Sequence, residues 1–495
     1  MDYETVIGLE VHVQLRTKSK MFCGCSADYA SAPPNTHVCP VCLGMPGVLP
    51  AINRQAIEYT MMTALALNCA ISENTKFDRK NYPYPDLMKG YQISQYDMPI
   101  ARQGWLTIRL DGEEKKVSIT RVHLEEDVAK LLHHTPVDGE PHSLVDVNRS
   151  GVPLMEIVGE PDLRSPEEAR EYLMKLHAIL QYLGVSTANM EEGSFRCDAN
   201  ISIRPAGSTE FMAKVEVKNM NSFKAVYRAL EFEAKRQRKA AEEGERLVQE
   251  TRGWVEEKGQ TVSQRSKEYA HDYRYFPEPD LPPLVLGREW IEKTRSKLPE
   301  LPEARRSRFI AEYELPTDDA KELTSSKAKA DYFEELVKIL EQKIVQKNLS
   351  IAERAKLASN WIMRDVNRII NAENIDIDAF RAKVNPPQLG EWIAYNYDGA
   401  VNTSGAVFGL DVTFKTGKGA ANVIDEHGLS QISDTQEIDE TLNKVIASNP
   451  QAVADYKAGK DAALKFLVGQ VMKETRGRAN AQMVNEILRK KLEGG

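Results

Sequence analysis

Four segments of the chain alternate between apolar and polar residues, and this alternation constrains the fold more than any other sequence feature. The segments are residues 8–15, 121–125, 195–204 and 213–218. Successive side chains of a β-strand point to opposite faces of a sheet, so each segment predicts a strand with one apolar and one polar face. Such strands are typical of an antiparallel sheet that packs one face against a core.

The polar faces of these strands are rich in carboxylates, histidine and arginine. Their polar positions include Glu10, His12, Arg121, His123, Glu125, Arg196, Asp198, Asn200, Lys214, Glu216 and Lys218. A sheet with one solvated face would also alternate, so alternation alone leaves that alternative open. Carboxylates with a histidine can hold a divalent cation, however, and interleaved Arg and Lys can hold phosphates. The composition therefore favours a sheet surface that binds a magnesium nucleotide and catalyses phosphoryl transfer by positioning and charge neutralisation.

The common nucleotide-binding motifs are absent from the sequence. It contains no G-x-x-x-x-G-K-[ST] phosphate loop, no G-x-G-x-x-G after a strand and no protein-kinase catalytic loop. Gly417-Lys418-Gly419 is only a fragment of a phosphate loop. A nucleotide bound by this chain is therefore predicted to lie on the sheet.

Four of the six cysteines fall within a 20-residue stretch. Cys23 and Cys25 form a C-x-C pair, and Cys39 and Cys42 form a C-x-x-C pair. Each pair offers two thiolates from one turn, and two pairs complete a tetrahedral structural zinc site. The alternatives are incidental reduced cysteines, or a redox role, which is disfavoured because no thioredoxin-like strand and helix flank the C-x-x-C motif. The spacing favours zinc.

The length of 495 residues predicts two to four domains. Residues 1 to about 290 combine strand and helix patterns, and the remainder is mainly helical, which predicts an α+β fold. The proline-rich stretch 275–283 places one boundary near residue 292. The Gly-, Thr- and Asn-rich segment 402–419 is expected to interrupt two helical regions and places another boundary near residue 408. The predicted domains are residues 1–292, 293–408 and 409–495.

Location and charge restrict the possible partners. No apolar run approaches the roughly 18 residues of a membrane span, and the first residues lack a secretory pattern, so a cytoplasmic protein without membrane contact is predicted.

The net charge of −8 disfavours a general nucleic-acid binder. Residues 465–495, however, contain seven Lys or Arg and three Glu, a local charge of +4. A polyanion contact would be local to this tail, and a solvated helix face is the alternative.

Residues 145–157, which read VDVNRSGVPLMEI, resemble the signature of the GatB/GatE family. The tail residues 466–473, followed by Gly477, resemble the tail shared with YqeY-type proteins. Other stretches that resemble the family are residues 4–12, 77–82, 91–95, 191–198 and 272–277. The resemblance covers the chain from end to end. It favours GatB over the archaeal GatE, because no inserted domain precedes the helical tail.

The resemblance implies both an architecture and a reaction. The architecture is a cradle domain on an antiparallel sheet, related to the glutamine synthetase/guanidino kinase fold, then an all-α helical domain and a YqeY-like helical tail. The reaction is that of a carbon–nitrogen ligase with glutamine as amido donor. With ATP and Mg²⁺, the chain would phosphorylate the side-chain carboxylate of Glu-tRNA(Gln) or Asp-tRNA(Asn). Ammonia from the amidase of a GatCAB heterotrimer (its A subunit), held to this chain by the C subunit, would displace the phosphate.

The resemblance also implies particular site residues. Matching positions give the metal ligands Glu10, His12, Glu125, Asp198 and Glu216, all on the polar strand faces. Residues 79–96, expected to form a loop near the nucleotide, and the strand at 195–204 give the nucleotide-binding residues Arg79, Lys80, Tyr82, Lys89 and Arg196. A turn-rich connection with stray aromatics is the alternative for that loop. Cys23, Cys25, Cys39 and Cys42 match zinc-containing members. Apart from the resemblance, the positive charge of the tail gives Lys473, Arg476 and Arg478 as predicted tRNA contacts.

Two other functions remain open on the sequence. One is an ATP-dependent carboxylate–amine ligase for a small molecule, which the basic tail disfavours, because a small substrate gives no reason for a separate helical extension. The other is a non-catalytic, zinc-bearing tRNA-binding scaffold, which the carboxylates on all four strands disfavour.

Overall fold

The computed structural model describes residues 2–135, 139–266, 273–344, 348–431, 435–457, 459–475, 479 and 481–493. The chain forms two compact units, Met1–Leu301 and Pro302–Gly495. The first combines a large sheet with helices, and the second is helical over its described residues. The α+β class is therefore confirmed.

The first unit is rich in strands. These are β1 (Tyr3–Gln14), β2 (Ala70–Ile71), β3 (Asn74–Thr75), β4 (Asp78–Asn81), β5 (Tyr91–Ser94), β6 (Ala101–Leu110), β7 (Glu113–Glu126), β8 (Lys130–His134), β9 (His142–Asp146), β10 (Pro153–Gly159), β11 (Phe195–Pro205), β12 (Val215–Lys218), β13 (Glu250–Val255), β14 (Gln260–Ser266), β15 (Phe276–Pro277) and β16 (Leu284–Val285). The helices are α1 (Arg54–Ala66), α2 (Pro166–Leu183), α3 (Phe223–Glu242) and α4 (Arg288–Arg295), with 3-10 turns at Val147–Arg149 and Glu256–Lys258.

The strands of the large sheet lie in the order β14-β13-β12-β11-β1-β10-β7-β6-β2. A small sheet has the order β15-β4-β5, and β16-β3 and β8-β9 form separate pairs. One face of the large sheet carries the core, where Leu9 and Val11 of β1 pack with Val122, Ile201 and Val217 from neighbouring strands. Helices α1, α2 and α3 contact this sheet. The alternation predicted for the four segments is therefore confirmed.

The large sheet is not wholly antiparallel as predicted. Strands β12 and β13 pair in parallel, whereas the other pairs in the sheet are antiparallel. The reason is helix α3, which lies between these two strands in the chain and returns it to the same end of the sheet. A parallel pair requires such a crossover, because a tight turn can join only antiparallel neighbours.

The second unit is built from helices around two cores. Its helices are α5 (Pro302–Tyr313), α6 (Thr317–Leu323), α7 (Lys327–Lys343), α8 (Ile351–Trp361), α9 (Asn367–Glu373), α10 (Ile377–Lys383), α11 (Pro386–Tyr397), α12 (Thr403–Thr416), α13 (Ala420–His427), α14 (Thr435–Ser448), α15 (Pro450–Lys457), α16 (Asp461–Glu474) and α17 (Ala481–Glu493), with a π-helical turn at Ile362–Val366. One core lies among α5 to α13, and a smaller core joins α14, α16 and α17.

The segment 402–419 does not interrupt the helices as expected, because most of it forms α12. The Asn402 side chain begins this helix by accepting a hydrogen bond of 2.7 Å from Gly405 N. Gly409 lies against the Trp392 ring, and an added Cβ would clash with that ring. Gly409 therefore permits close helix packing and does not mark a loop. None of the described helices is long and apolar enough to cross a membrane.

Candidate active site

The strand order places the predicted polar faces side by side. Strands β12, β11, β1, β10 and β7 are consecutive in the large sheet. His12 is paired with Arg196 of β11 on one side and with Glu156 of β10 on the other, and Glu156 is paired with His123 of β7. Paired residues project to the same face of a sheet. The polar positions therefore form one continuous surface.

His12, His123, Glu125 and Glu156 form a compact histidine–carboxylate cluster on this surface. His12 Nε2 lies 3.4 Å from Glu156 Oε2 and 3.8 Å from Glu125 Oε1. His123 Nε2 lies 3.2 Å from the same Glu156 oxygen. The other ring nitrogen of His123 is buried without a hydrogen-bond partner among the described residues. We therefore assign the ring proton of His123 to Nε2, which donates a hydrogen bond to the Glu156 carboxylate.

The members of the cluster shift one another's pKa. Burial acts to lower the pKa of His12, but the charges of Glu156 and Glu125 raise it to about 9. Burial acts to raise the pKa of Glu156, but His123 and His12 hold it well below its usual range. His12 is thus an imidazolium at neutral pH when no cation is bound. A metal that takes its Nε2 must displace a proton.

Of the remaining predicted metal ligands, Asp198 and Glu216 contact Lys218, and Glu10 is paired with Asp198 in the strand register. Lys218 Nζ forms ion pairs with Asp198 and with Glu216 Oε1, the latter at 3.0 Å. Glu10 Oε1 accepts a hydrogen bond of 2.8 Å from Asn200 Nδ2. We call Glu10, Asp198, Glu216 and Lys218 the Lys218 group. The five predicted ligands share one face of the sheet but fall into two groups, one in the histidine–carboxylate cluster and one around Lys218.

The small sheet brings Lys80 to the histidine–carboxylate cluster. Ser94 Oγ of β5 donates a hydrogen bond of 3.0 Å to Glu125 Oε2, which joins the two sheets. Burial acts to lower the pKa of Lys80, but the charge of Glu125 raises it above its usual value. The ammonium group lies 5.1 Å from the ring centre of Tyr273 and 5.9 Å from that of Tyr82. Lys80 is therefore a charged lysine between carboxylates and tyrosine rings.

Arg196 lies beside His12 and is held in place by a buried carboxylate. Its Nη2 donates a hydrogen bond of 3.1 Å to Asp127 Oδ2. Gln14 Nε2 donates to the same oxygen at 2.6 Å. Burial acts to raise the pKa of Asp127, but Arg196 and Arg149 lower it. The Arg196 guanidinium is therefore fixed at the edge of the cluster.

Arg79 and Lys89 make other contacts. Arg79 Nε and Nη2 donate to the Glu278 carboxylate at 2.7 and 2.8 Å. Lys89 forms an ion pair with Glu126. Arg79 and Lys89 both line a cavity of about 230 Å³ next to residues 23–42, which carry the four cysteines and which we call the cysteine loop. The expected loop 79–96 is wrong at both ends, where β4 and β5 form. Because neighbours on a strand point to opposite sides, Arg79 and Lys80 are separated.

The four predicted cysteines converge. Cys42 Sγ lies 3.4 Å from Cys23 Sγ, 3.6 Å from Cys39 Sγ and 3.7 Å from Cys25 Sγ. A tetrahedral zinc with bonds of about 2.3 Å separates its sulfur ligands by about 3.8 Å, so this donor set fits zinc. The hydrogen bond from Cys23 lowers the pKa of Cys42 despite burial, and the charge of Lys20 lowers it further.

The histidine–carboxylate cluster also fits a cation. One ligand atom from each of His12, Glu125 and Glu156 lies within 4.8 Å of the others. Two carboxylates and an imidazole suit a small divalent ion, whose remaining positions would be filled by water or by phosphate oxygens.

Comparison with known proteins decides the family. Residues 5–292 match the GatB/GatE catalytic domain, and residues 331–492 match the GatB domain. The chain belongs to the GatB/GatE family. A relative from Dehalococcoides mccartyi (strain CBDB1), named as the B subunit of aspartyl/glutamyl-tRNA(Asn/Gln) amidotransferase, is 60% identical over 100% of this chain and 99% of its own length. Relatives of the same name from Moorella thermoacetica and Carboxydothermus hydrogenoformans are 53% and 52% identical; both alignments cover 99% of this chain, and 100% and 99% of the respective relative.

The GatB/GatE catalytic-domain match contains the histidine–carboxylate cluster, the Lys218 group and the four cysteines. The GatB-domain match contains the basic tail, where Lys473 is exposed on α16. Arg476 and Arg478, the other predicted tRNA contacts, lie outside the described residues.

Sequence reasoning missed Glu156 as a site residue. It stands in the GatB/GatE signature stretch, and it shares the polar face of β10 with Leu154 and Val158. With apolar neighbours on both faces, the strand shows no alternation. Tyr273, which lies against Lys80, was missed as well, although it stands in another stretch that resembles the family. The presence of Glu156 in the signature was the one available signal.

Proposed function

We propose that the chain is the B subunit of a glutamine-dependent tRNA amidotransferase, working in the cytoplasm with an amidase (the A subunit) and a C subunit that holds the amidase to it. It would act on Glu-tRNA(Gln) and Asp-tRNA(Asn) to give Gln-tRNA(Gln) and Asn-tRNA(Asn). The name shared by its relatives supports this proposal. The observation that carries it is the histidine–carboxylate cluster with a charged lysine beside it, on the polar face of the large sheet.

The proposed reaction has two steps. A side-chain carboxylate oxygen of the tRNA-borne Glu or Asp attacks the γ-phosphorus of ATP, the bond from that phosphorus to the bridging oxygen breaks, and ADP leaves. Ammonia from the amidase then attacks the carbonyl carbon of the acyl phosphate. The nitrogen loses a proton, inorganic phosphate leaves with the electron pair of the broken carbon–oxygen bond, and the side chain becomes an amide.

The residues of the polar face divide this work. His12, Glu125 and Glu156 would hold Mg²⁺, which neutralises charge on the phosphoryl oxygens when it is bound. His123 keeps the Glu156 carboxylate in position through its Nε2 proton. Glu10, Asp198 and Glu216 remain proposed metal ligands, and Asp198 and Glu216 would have to exchange their ion pairs with Lys218 for the cation.

Nucleotide binding would fall mainly to Lys80 and Arg196. The charge of Glu125 keeps Lys80 protonated, and Arg196 is fixed beside His12, so both can donate to phosphate oxygens. The Tyr82 ring offers an apolar surface for a sugar or base. Arg79 and Lys89 would have to leave Glu278 and Glu126 to do the same.

The architecture belongs to the same proposal. The first unit would be a cradle of the glutamine synthetase/guanidino kinase type, and the helical tail would be YqeY-like and bind tRNA. Cys23, Cys25, Cys39 and Cys42 would hold a structural zinc. The three-part division at residues 292 and 408 remains a prediction.

The test compares Glu125→Gln and Glu156→Gln in the assembled complex. Each change keeps the shape of the side chain and removes its charge, so we expect weaker Mn²⁺ binding and a loss of ATP-dependent amidation on the order of 100-fold or more. Glutamine hydrolysis, which takes place on the amidase, should continue at the wild-type rate. Added ammonium should not restore amidation, because the defect lies in activation of the carboxylate.

The matched control is Glu113→Gln, which removes an exposed carboxylate from the far end of the same strand β7. It should leave both activities unchanged. If ammonium restores amidation by the cluster variants, or if both variants still form ADP in the presence of tRNA, the catalytic site does not lie on this face of the sheet.

A further inference from the structure

Lys20 is a lysine without solvent exposure at the edge of the cysteine cluster. Its Nζ lies 2.8 Å from His37 O, 3.4 Å from Val147 O and 3.5 Å from Cys42 Sγ. An ammonium group has three donors, and these three acceptors account for all of them. The side chain is therefore fully satisfied inside the protein, with a cysteine sulfur as one of its partners.

The charge of this lysine requires an anionic partner. Removing an ammonium group from water is costly unless an opposite charge is near. Among the residues that the structure describes, no carboxylate pairs with Lys20, and two of its three contacts are neutral carbonyls. The remaining contact is Cys42, a member of the cysteine cluster. The cluster is thus the source of negative charge that explains a buried lysine at this position.

The proposed four-cysteine zinc site, in turn, requires a positive charge nearby. Four thiolates around a divalent ion leave a net charge of about −2 in a partly buried site. Donors placed behind the sulfur atoms reduce this charge, and outer-shell partners of metal ligands are worth about 10- to 100-fold in metal affinity. We propose that Lys20 is the buried counter-cation of the four-cysteine metal site. The inference rests on the proposed zinc and goes beyond it by assigning a non-ligand residue to metal retention.

The surrounding backbone holds Lys20 in place for this role. Gly151 adopts φ +84°, and a Cβ built on it would lie 3.5 Å from Lys20 Cδ, so the lysine stem runs along this turn. Met21 N donates to Gly151 O at 2.6 Å, and Asn53 Nδ2 donates to Lys20 O at 3.2 Å. The ammonium group is consequently delivered to Cys42 by a fixed main chain.

The experiment measures zinc retention by the purified full-length chain with Lys20→Met. Methionine keeps the length of the side chain and removes the charge. We expect zinc affinity, measured by competition with a chromophoric chelator, to fall by about 10- to 100-fold, with faster release of the metal. Lys18→Met is the control, because Lys18 is exposed two residues away. It should retain zinc like the wild type.

A merely structural role predicts a different result. Lys20→Met would then lower the resistance to urea equally in zinc-loaded and zinc-stripped protein, and its zinc affinity would stay at the wild-type value. That result would overturn the inference. If Lys20→Met does not fold, Lys20→Gln retains a donor for His37 O without the charge, and the same loss of affinity is expected. Absence of zinc from the wild-type chain would instead remove the proposed zinc site itself.

Discussion

At the scale of single residues, the histidine–carboxylate cluster is a balance between burial and charge. Glu125 and Glu156 are nearly inaccessible to solvent, and two carboxylates so close together repel each other. His12 and His123 reduce this repulsion, since both direct Nε2 toward Glu156. A bound cation would do the same more effectively. The metal-free cluster is therefore held together by a proton on His12.

Because of this proton on His12, the stability of the metal-free chain should depend on pH. The pKa of His12 is raised from 6.5 to about 9 in the folded state. Below pH 6.5 the residue is protonated in both states and contributes its full stabilisation. Between pH 6.5 and 9 the unfolded chain loses the proton first, so this stabilisation is lost as the pH rises. We expect the free energy of unfolding to fall by at most about 3 kcal/mol over this range, measured by urea unfolding.

Two comparisons isolate the contribution of His12 to this fall. The His12→Gln variant lacks the titrating group and should show a smaller decrease over the same pH range. Saturating Mg²⁺ should also reduce the decrease for the wild type, because the metal replaces the proton. An identical pH profile for wild type and His12→Gln would show that the carboxylates do not hold a proton on His12.

At the scale of elements, the cysteine loop is bound to the turn that precedes β10. Asn35 Nδ2 donates to Val145 O at 3.1 Å, and Val147 N donates back to Asn35 Oδ1 at 2.8 Å. His37 N donates to Asn148 Oδ1 at 2.8 Å. The signature stretch therefore supports the cysteine loop at one end and carries Glu156 at the other.

Removing one ligand should empty the cysteine site. The purified wild-type chain is expected to carry about one zinc, and Cys39→Ser is expected to lose it, because three thiolates do not close a tetrahedral structural site. Cys69→Ser is the matched control, since Cys69 is a buried core residue outside the cluster, and it should retain the metal. Elemental analysis decides the matter, and a reduced native chain without zinc would contradict the assignment.

Elements with local signals were predictable, and those set by tertiary pairing were not. Helix α2 follows from Ser165, whose side chain accepts from Glu168 N, and from Gly184, which ends the helix at φ 67°. The polar faces of β1, β7, β11 and β12 follow from period two. Strand β10 has almost no polar residue on either face, so Glu156 could be placed only by pairing with β1 and β7. Strand β4, on which Arg79 and Lys80 point to opposite sides, is likewise formed by pairing with β5 and β15.

At the scale of the whole molecule, charge is distributed unevenly between the two ends of the sequence. The carboxylates of the candidate active site belong to the first unit of a chain whose net charge is −8. The basic residues after Lys465 belong to the second unit, where α14, α16 and α17 share a core separate from that of α5 to α13. A separate core lets the tail be removed with little disturbance to the remaining helices. A cut after α14 would leave that helix without its packing partners α16 and α17, so the cut belongs before α14.

Deletion of residues 435–495 should weaken tRNA binding without affecting the chemistry of the complex. Phosphate contacts by Lys or Arg release counterions, so loss of each contact should reduce the slope of log affinity against log salt by about 0.7 to 0.9. The truncated complex should hydrolyse glutamine at the wild-type rate and show the same ATP requirement at saturating tRNA. Lys473→Ala should lower affinity in the intact chain, whereas Glu474→Ala, its exposed neighbour, should not. Equal tRNA affinity with and without the tail at matched salt would mean that its positive charge is only a solvated helix face.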